Sequence, residues 1–358
     1  MFCMRFGIND LIIMDVVMGT NEHTNVDNNK SIKVSVCIIT YNQAEYVRQT
    51  IDSVLSQNVD IPIEILIADD ASTDGTPEIL KEYKRKYPDL IRLILRKKNL
   101  GANKNAYQIL VAAKGEYICG LEGDDYWIDN NYIQSQAEFL DDHPEYIASS
   151  GRCIVGDKEG REITDLASIG NRKFWEFDKK EFSKEDFCEW KMPGHMSATF
   201  YRNFYKERDF DGSVLYKFHP MIGDRTTLLQ LIVRGKIFCY DKAVLSYRFV
   251  DETTAHNWMA VSAKSNKRLE EYKLICVLEN YARQKYDPEF NLTKLKKNKV
   301  AAAVSVAILD RTTSNAKVAI QIIMYDHHLI RNLIVALSTM IQKFYWIARG
   351  KSDHRVLV

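Results

Sequence analysis

Five carboxylates follow two apolar runs of the sequence, at points where buried β-strands are expected to end. They are Asp69, Asp70, Glu122, Asp124 and Asp125. Closely spaced carboxylates repel one another unless a cation lies among them, and Mg2+ or Mn2+ prefers oxygen ligands of this kind. Such an ion would neutralise the phosphates of a nucleoside diphosphate and make it a better leaving group. The alternative is that these acids only cap the helices that follow, the usual role of an isolated acidic pair.

The elements that would position these acids follow from the hydrophobic pattern. Between residues 33 and 125, short apolar runs alternate with segments of helical periodicity, which predicts βαβ units and a mainly parallel sheet. The expected strands are residues 34–39, 63–68, 91–95 and 117–121. Ligands of such sheets bind beyond the carboxyl ends of the strands, where the acids lie.

Three helices are expected between these strands. The first begins after Asn42, with Glu45 three residues later in a capping-box pattern. The second begins at Asp74, and Pro77 fits its first turn because proline has no amide hydrogen to leave unpaired. The third follows Asn103 and ends at Gly115, which we expect in the left-handed conformation of a helix C-cap.

The pattern is weaker in the second half of the chain. The expected elements are a helix at 132–140, a strand at 147–155, a helix at 224–234 closed by Gly235, and strands at 237–240 and 244–249. Beyond residue 256 the chain is helical and lysine-rich. The predicted organisation is a flexible lead-in at 1–30, an α/β domain at 31–255 and an α-helical region at 256–358.

The last predicted helix, residues 329–347, has an apolar face beside Arg331 and Lys343, and Arg349 and Lys351 follow it. A basic amphipathic helix of this kind can lie on an anionic membrane surface, which gives the hypothesis of peripheral contact with the inner face of the plasma membrane. The alternative is that its apolar stripe packs against the rest of the protein.

Composition argues against several classes of protein and site. Lysine and arginine total 49 and aspartate and glutamate 48, so a formal net charge of +1 argues against a nucleic-acid partner. The seven cysteines include no C-x-x-C pair, which predicts reduced thiols in a cytoplasmic protein without structural zinc. We expect no signal peptide and no segment with the ~20 apolar residues that cross a bilayer. Met18 is an alternative start.

Four segments in register resemble glycosyltransferase family 2 of the GT-A fold. They are residues 36–42 (VCIITYN), 67–76 (IADDASTDGT), 99–101 (NLG) and 122–127 (EGDDYW). The resemblance covers roughly residues 33–248. It implies a nucleotide-diphospho-sugar transferase domain with a mostly parallel central sheet, followed here by the α-helical region.

The resemblance also implies roles for individual residues. The nucleotide sugar would be held by Thr40, Tyr41, Asn42, Asp69, Asp70, Lys104 and Asp124. Tyr41 and Asp70 would contact the base and ribose, and Lys104 the diphosphate. Asp125 would hold the metal together with Glu122, which stands where the family's usual D-x-D motif has its first aspartate. For Tyr41 the alternative is an ordinary aromatic residue at a sheet end.

An acceptor hydroxyl needs a base to take its proton during attack on the sugar. Similar enzymes place a carboxylate just before a helix for this purpose, where this chain has Asp224. The alternative is an N-cap aspartate without chemistry. His195, His256 and Trp258 are candidates for contacts with the acceptor or the donor phosphates, and local hydrogen bonding is the alternative for the histidines.

The resemblance therefore implies an inverting glycosyltransferase that uses Mg2+ or Mn2+. It would move a sugar from a UDP-sugar to a saccharide or lipid-linked acceptor in cell-surface polysaccharide biosynthesis. Two alternatives stay open: a sugar-phosphate nucleotidyltransferase, which also uses acidic strand ends, and a non-catalytic sugar-binding relative. A dinucleotide-dependent oxidoreductase is disfavoured because residues 40–43 lack the glycine-rich fingerprint.

Overall fold

The computed structural model describes residues 31–165, 177–218, 223–249, 267–325 and 328–348. The chain divides into two compact units, Met1–Lys184 with Met192–Val250, and Glu185–Lys191 with Asp251–Val358. The segment Glu185–Lys191 groups with the C-terminal unit, which the sequence did not indicate. The predicted domain boundaries fall at or beyond the edges of the described ranges, so they stay predictions.

The strands described in the N-terminal unit form one mixed sheet. They are β1 (Val34–Thr40), β2 (Ile63–Asp69), β3 (Ile91–Leu95), β4 (Tyr117–Glu122), β5 (Tyr126–Trp127), β6 (Tyr146–Gly156), β7 (Glu181–Phe182), β8 (Thr199–Arg202) and β9 (Lys236–Arg248). Their order is β3-β2-β1-β4-β8-β6-β9-β5, with β7 also paired to β9. The first four strands are parallel, as predicted, and end within one residue of the expected positions.

The other half of the sheet departs from the parallel pattern. Strand β8 is antiparallel to β4 and β6, whereas β6 runs parallel to β9. The prediction of two strands at 237–240 and 244–249 is wrong, because β9 is continuous and register irregularities opposite β6 absorb the polar interruption at Asp241. Nε of Arg152 on β6 lies 2.8 Å from Oδ1 of Asp241.

Helices cover both faces of this sheet. They are α1 (Val47–Leu55), α2 (Thr76–Lys86), α3 (Ala102–Ala112), α4 (Tyr132–Asp142), α6 (Val214–Lys217) and α7 (Asp224–Ile232). Helix α5 (Lys184–Cys188) lies almost entirely in the segment that groups with the C-terminal unit. Strand β1 is buried on both faces, which explains its continuous apolar sequence. The core joins Val36 and Ile38 of β1 to Ile65 and Ile67 of β2 and Ile51 of α1.

Several predicted helix ends are wrong. Asn42 does not cap α1, whose N-cap is Tyr46; instead Asn42 has a left-handed backbone with φ 53° and its Oδ1 accepts from Thr73 N at 2.8 Å. Helix α3 ends at Ala112, followed by an extended Ala113, so Gly115 is not its C-cap. A Cβ at Gly115 would collide with the backbone of Ser35 in β1, so close packing explains this glycine.

Two further helix ends differ by one or two residues. The N-cap of α2 is Gly75, although Asp74 Oδ1 accepts from Thr76 N at 2.9 Å as a capping side chain would. Helix α7 ends at Ile232, with Val233 as its C-cap, before Gly235 is reached. Ends of this kind depend on local hydrogen bonds that hydrophobic periodicity does not report.

The C-terminal unit is helical, as predicted. Its long helices are α8 (Lys267–Lys285), α9 (Thr293–Asp310), α10 (Thr313–Tyr325) and α11 (Leu329–Ala348). They share a core that includes Tyr272, Val300, Ile322 and Ala336. Across the described ranges, no helix has both the length and the hydropathy needed to cross a membrane.

Candidate active site

Three carboxylates meet where β4 ends. Oxygens of Glu122, Asp124 and Asp125 all lie within 4.8 Å of one another. Asp124 Oδ1 and Asp125 Oδ2 are buried and have no hydrogen-bond partner among the described residues. Buried carboxylate oxygens without a partner are costly, and a cation would satisfy both. This donor set of three carboxylates therefore fits a hard divalent ion. We call these residues the acidic cluster.

Crowding raises the pKa values in the acidic cluster. Burial, followed by the charges on Asp124 and Asp224, raises the pKa of Glu122 to about 8. Burial and its two acidic neighbours also raise the pKa of Asp125 well above its usual value. For Asp124 burial raises the pKa, and Arg248 and the Gln43 amide oppose the rise. A bound cation would displace protons from these carboxyls, which couples metal affinity to pH.

The backbone of the acidic cluster is fixed from the neighbouring helix and strand. The buried Thr50 hydroxyl of α1 lies 2.9 Å from the carbonyl of Gly123 and 2.8 Å from that of Asp125, so it can donate to either. A Cβ at Gly123 would lie 2.9 Å from the Thr40 side chain in β1 and would collide with Gln43. Glycine is needed there because the loop passes so close to β1.

Arg248, at the end of β9, is a site residue that the sequence analysis missed. Its backbone N donates to Asp125 Oδ1 at 2.9 Å, and its Nε donates to the carbonyl of Asp124 at 2.8 Å. Its other nitrogens donate to the carbonyl of Lys158 and to Gln49 Oε1. The guanidinium lies 4.6 Å from the centre of the Tyr46 ring. An arginine closing a strand gives no signal by itself, because its partners are remote in sequence.

Both oxygens of Asp70 bind backbone amides. Leu100 N donates to Oδ1 at 2.7 Å and Gly101 N to Oδ2 at 2.9 Å. Gly101 has φ 86°, a conformation that favours glycine and explains the N-L-G segment. Asp69 is buried and accepts from the amide and hydroxyl of Ser72. Both aspartates thus shape the loops beyond β2 and β3, and their contact with a nucleotide stays a prediction.

The loops after β1 and β2 are joined by hydrogen bonds. Asn42 N donates to Ser72 Oγ at 2.8 Å, in addition to the bond from Thr73. Thr40 is buried, and its hydroxyl has no hydrogen-bond partner within the described ranges. Tyr41, which lies between Thr40 and Asn42 in sequence, has 36% of its surface exposed. Its ring is therefore open to a stacking ligand, which supports its predicted role without testing it.

The charge of Asp224 contributes to the raised pKa of Glu122, so Asp224 lies near the acidic cluster. Both side chains are open to solvent on one side although protein atoms surround them closely. Burial also raises the pKa of Asp224 itself, and Arg225 opposes the rise. The start of α7 abuts α3, since a Cβ at Gly223 would lie 2.7 Å from Asn103 Oδ1. Asn103 directly precedes Lys104, the predicted diphosphate contact.

The structure places the remaining predicted residues as follows. The Lys104 ammonium lies 5.9 Å from the centre of the Tyr216 ring. His195 is buried, its Nδ1 accepts from Ser197 N at 3.2 Å, and its ring centre lies 5.2 Å from that of Tyr247. Burial lowers the pKa of His195 to about 4. His256 and Trp258 lie outside the described residues, so their roles stay predictions.

The chain is similar in sequence to known proteins. Residues 35–208 match the family model of glycosyl transferase family 2. The GalNAc(5)-diNAcBac-PP-undecaprenol beta-1,3-glucosyltransferase of Campylobacter jejuni is 25% identical over 277 residues, which cover 75% of this chain and 82% of that protein. The UDP-Glc:alpha-D-GlcNAc-diphosphoundecaprenol beta-1,3-glucosyltransferase WfaP of Escherichia coli is 36% identical over 124 residues. These residues cover 35% of this chain and 47% of that protein.

Other relatives share only part of their length with this chain. The chain spans 32% of the length of three mycobacterial relatives of unassigned function and is 48% identical to them over 112 residues. Among solved structures, the crystal structure of Staphylococcus aureus TarS 1-349 has a TM-score of 0.51 and 17% identity, and the match covers 87% of this chain and 80% of the TarS 1-349 chain. The likeness confirms the predicted α/β fold of GT-A type with helices after it. Over residues 35–208 the chain is therefore similar to glycosyl transferase family 2.

Proposed function

We propose that this protein is a metal-dependent glycosyltransferase that moves the sugar of a nucleotide-diphosphate sugar to a hydroxyl group of an acceptor. The observation that carries the proposal is the acidic cluster, with two buried oxygens lacking partners in the described chain and the carboxylate of Asp224 nearby. A cation and a base are the two groups that such a transfer requires.

In this proposal Asp125 and Glu122 hold Mg2+ or Mn2+, which supplies charge neutralisation for the departing diphosphate. Asp124 reaches the ribose or the sugar. The base and ribose lie along Thr40, Tyr41, Asn42, Asp69 and Asp70, and Lys104 approaches the phosphates. The exposed ring of Tyr41 and the unpartnered Thr40 hydroxyl support this placement. His195, His256 and Trp258 stay candidates for acceptor or phosphate contacts.

Asp224 acts as the base in a single displacement. The acceptor oxygen forms a bond to the anomeric carbon while the bond from that carbon to the diphosphate oxygen breaks. The hydroxyl proton passes to Asp224, and the nucleoside diphosphate leaves with the bonding electron pair. One in-line step of this kind inverts the anomeric configuration. Burial raises the pKa of Asp224 above that of an ordinary aspartate, which makes its carboxylate a stronger base.

The donor is proposed to be a UDP-sugar and the acceptor a saccharide or lipid-linked saccharide in cell-surface polysaccharide biosynthesis. The activities named for the two relatives support this, since WfaP uses UDP-Glc and both enzymes act on acceptors linked to undecaprenol diphosphate. A lipid-linked acceptor would lie in a membrane, so we propose that the protein acts at its cytoplasmic face.

The test is product analysis of the full chain with UDP-sugars, Mn2+ and a saccharide acceptor. Release of UDP that stops when EDTA removes the metal would support the proposal. Release of pyrophosphate from UTP and a sugar phosphate would instead establish the nucleotidyltransferase alternative. A protein that binds the donor but releases neither product, with any metal, would be the non-catalytic relative.

A further inference from the structure

Helix α11 presents its largest aliphatic side chains to solvent. It packs on α9 and α10 through a narrow stripe at helical spacing, in which Asn332, Ala336 and Thr339 are buried. The opposite side carries Ile330, Ile334, Leu337 and Ile341, whose exposed fractions are 76%, 62%, 58% and 70%. A helix at a water-facing surface has the reverse pattern, with polar residues outward. This side of α11 is therefore built for a non-aqueous environment.

Helix α10, which packs beside α11, continues the pattern. Ile320 and Met324 are one turn apart and are 56% and 67% exposed. We call these two residues and the four of α11 the outer face. Soluble proteins rarely expose apolar surfaces of this extent unless something binds there.

The polar residues near the outer face show what could bind. Thr313–Tyr325 and Leu329–Ala348 contain no aspartate or glutamate, whereas their cations are Lys317, Arg331 and Lys343. Exposed aromatic rings border the same helices at Tyr325, Tyr345 and Trp346. Basic residues together with tyrosine and tryptophan are typical of helices at the boundary between anionic headgroups and acyl chains.

The pattern also indicates how α11 would lie. Arg331, Ser338 and Gln342 are spaced by seven and four residues, which places them along one flank of the helix. That flank can face water and headgroups while the outer face enters the acyl boundary. Pairing of two copies through this face is less suitable, because it would bring Lys317 and Arg331 of both chains together without an acidic residue on these helices.

We propose that the outer face of α10 and α11 is a docking surface for an anionic phospholipid bilayer. Its apolar side chains enter the interface, and the side chains of Lys317 and Arg331 meet lipid phosphates. The proposal extends the proposed function, in which the acceptor is lipid-linked, by identifying the surface that holds the protein where such an acceptor lies.

The experiment is co-sedimentation of the full chain with vesicles of phosphatidylcholine alone and of equimolar phosphatidylcholine and phosphatidylglycerol. We expect binding to the anionic vesicles that weakens at high salt. The double variant Ile334→Gln/Ile341→Gln should bind about tenfold more weakly or worse, since it removes two apolar anchors. Ile320→Gln/Met324→Gln should weaken binding similarly. Val111→Gln, which changes an exposed aliphatic residue of the other unit, is the matched control.

Three results would overturn the proposal. They are failure of the wild-type chain to sediment with anionic vesicles, binding of both double variants as strong as that of wild type, and a dimer in light scattering that Ile334→Gln/Ile341→Gln converts to a monomer. UDP binding, measured on the same samples, separates the two proposals. A chain that binds UDP but no vesicles contradicts the docking surface alone, and one that binds vesicles but neither binds nor turns over donors contradicts the proposed function alone.

Discussion

The backbone amide of Arg248 donates to Oδ1 of Asp125 at 2.9 Å, joining residues that are 123 positions apart in sequence. The side chain of the same arginine donates to the carbonyl of Asp124 at 2.8 Å. One residue of β9 thus positions two consecutive members of the acidic cluster. Its charge also opposes the rise in their pKa values. Arg248 is therefore a positioning residue for the proposed metal site.

Replacement of Arg248 by lysine should weaken metal binding while leaving a folded protein. Lysine keeps the charge but cannot donate at once to Asp124, Lys158 and Gln49. Loss of a partner that orients ligands typically costs about 10- to 100-fold in metal affinity. Calorimetric titration with Mn2+ measures the metal affinity of each variant. Arg92→Lys is the control, because Arg92 lies beside Glu64 and the end of α3. Equal Mn2+ affinity in both variants would show that Arg248 does not position the ligands.

Gly123→Ala should destabilise the protein and displace the acidic cluster. The new Cβ would lie 2.9 Å from the Thr40 side chain, which cannot withdraw because β1 is buried in the sheet. Overpacking of this kind costs about 1–3 kcal/mol in the free energy of unfolding. In Gly120→Ala, three residues earlier and within β4, the nearest atom would be 3.9 Å away. Urea denaturation should separate the two variants, and equal midpoints would argue against the close packing.

Metal affinity should increase as the pH is raised from 6 to 8. The pKa of Glu122 is about 8, so below that pH the carboxyl holds a proton that a metal ion must displace. The apparent affinity should therefore change by up to about tenfold per pH unit in this range. Glu122→Gln should bind Mn2+ more weakly and with a shallower pH dependence. Parallel pH profiles for wild type and variant would remove Glu122 from the metal site.

Asp224→Asn should keep donor affinity within about twofold but reduce transfer by roughly 100- to 10,000-fold, since a positioned base contributes that much. The measurement is UDP release with an acceptor at saturating donor, together with a separate UDP titration. Asp241→Asn, at an exposed carboxylate that pairs with Arg152, serves as the surface control. Unchanged turnover in Asp224→Asn would mean that another group takes the acceptor proton.

The sequence predicted the first half of the sheet closely, for a physical reason. Strands buried on both faces are mostly apolar, so β1, β2 and β4 are recognisable as largely apolar runs. The acidic cluster was recognisable as well, because its members are adjacent in sequence and follow such a run. Local composition is therefore enough to predict both the buried strands and the acidic cluster.

Features that depend on distant residues could not be predicted in this way. Gly115 looked like a helix cap, but its size matters because Ser35, eighty positions earlier, packs against it. Asn42 looked like a cap for α1, but its side chain binds the loop after β2. Arg248 gave no signal because its partners come from three other segments of the chain.

The central claim is that the acidic cluster binds a divalent metal ion. A crystal structure with Mn2+ and UDP, with data recorded at the manganese absorption edge, tests it most directly. The account predicts an anomalous peak within about 2.5 Å of a carboxylate oxygen of Asp125. A UDP complex in Mn2+ without a peak among Glu122, Asp124 and Asp125 would contradict it.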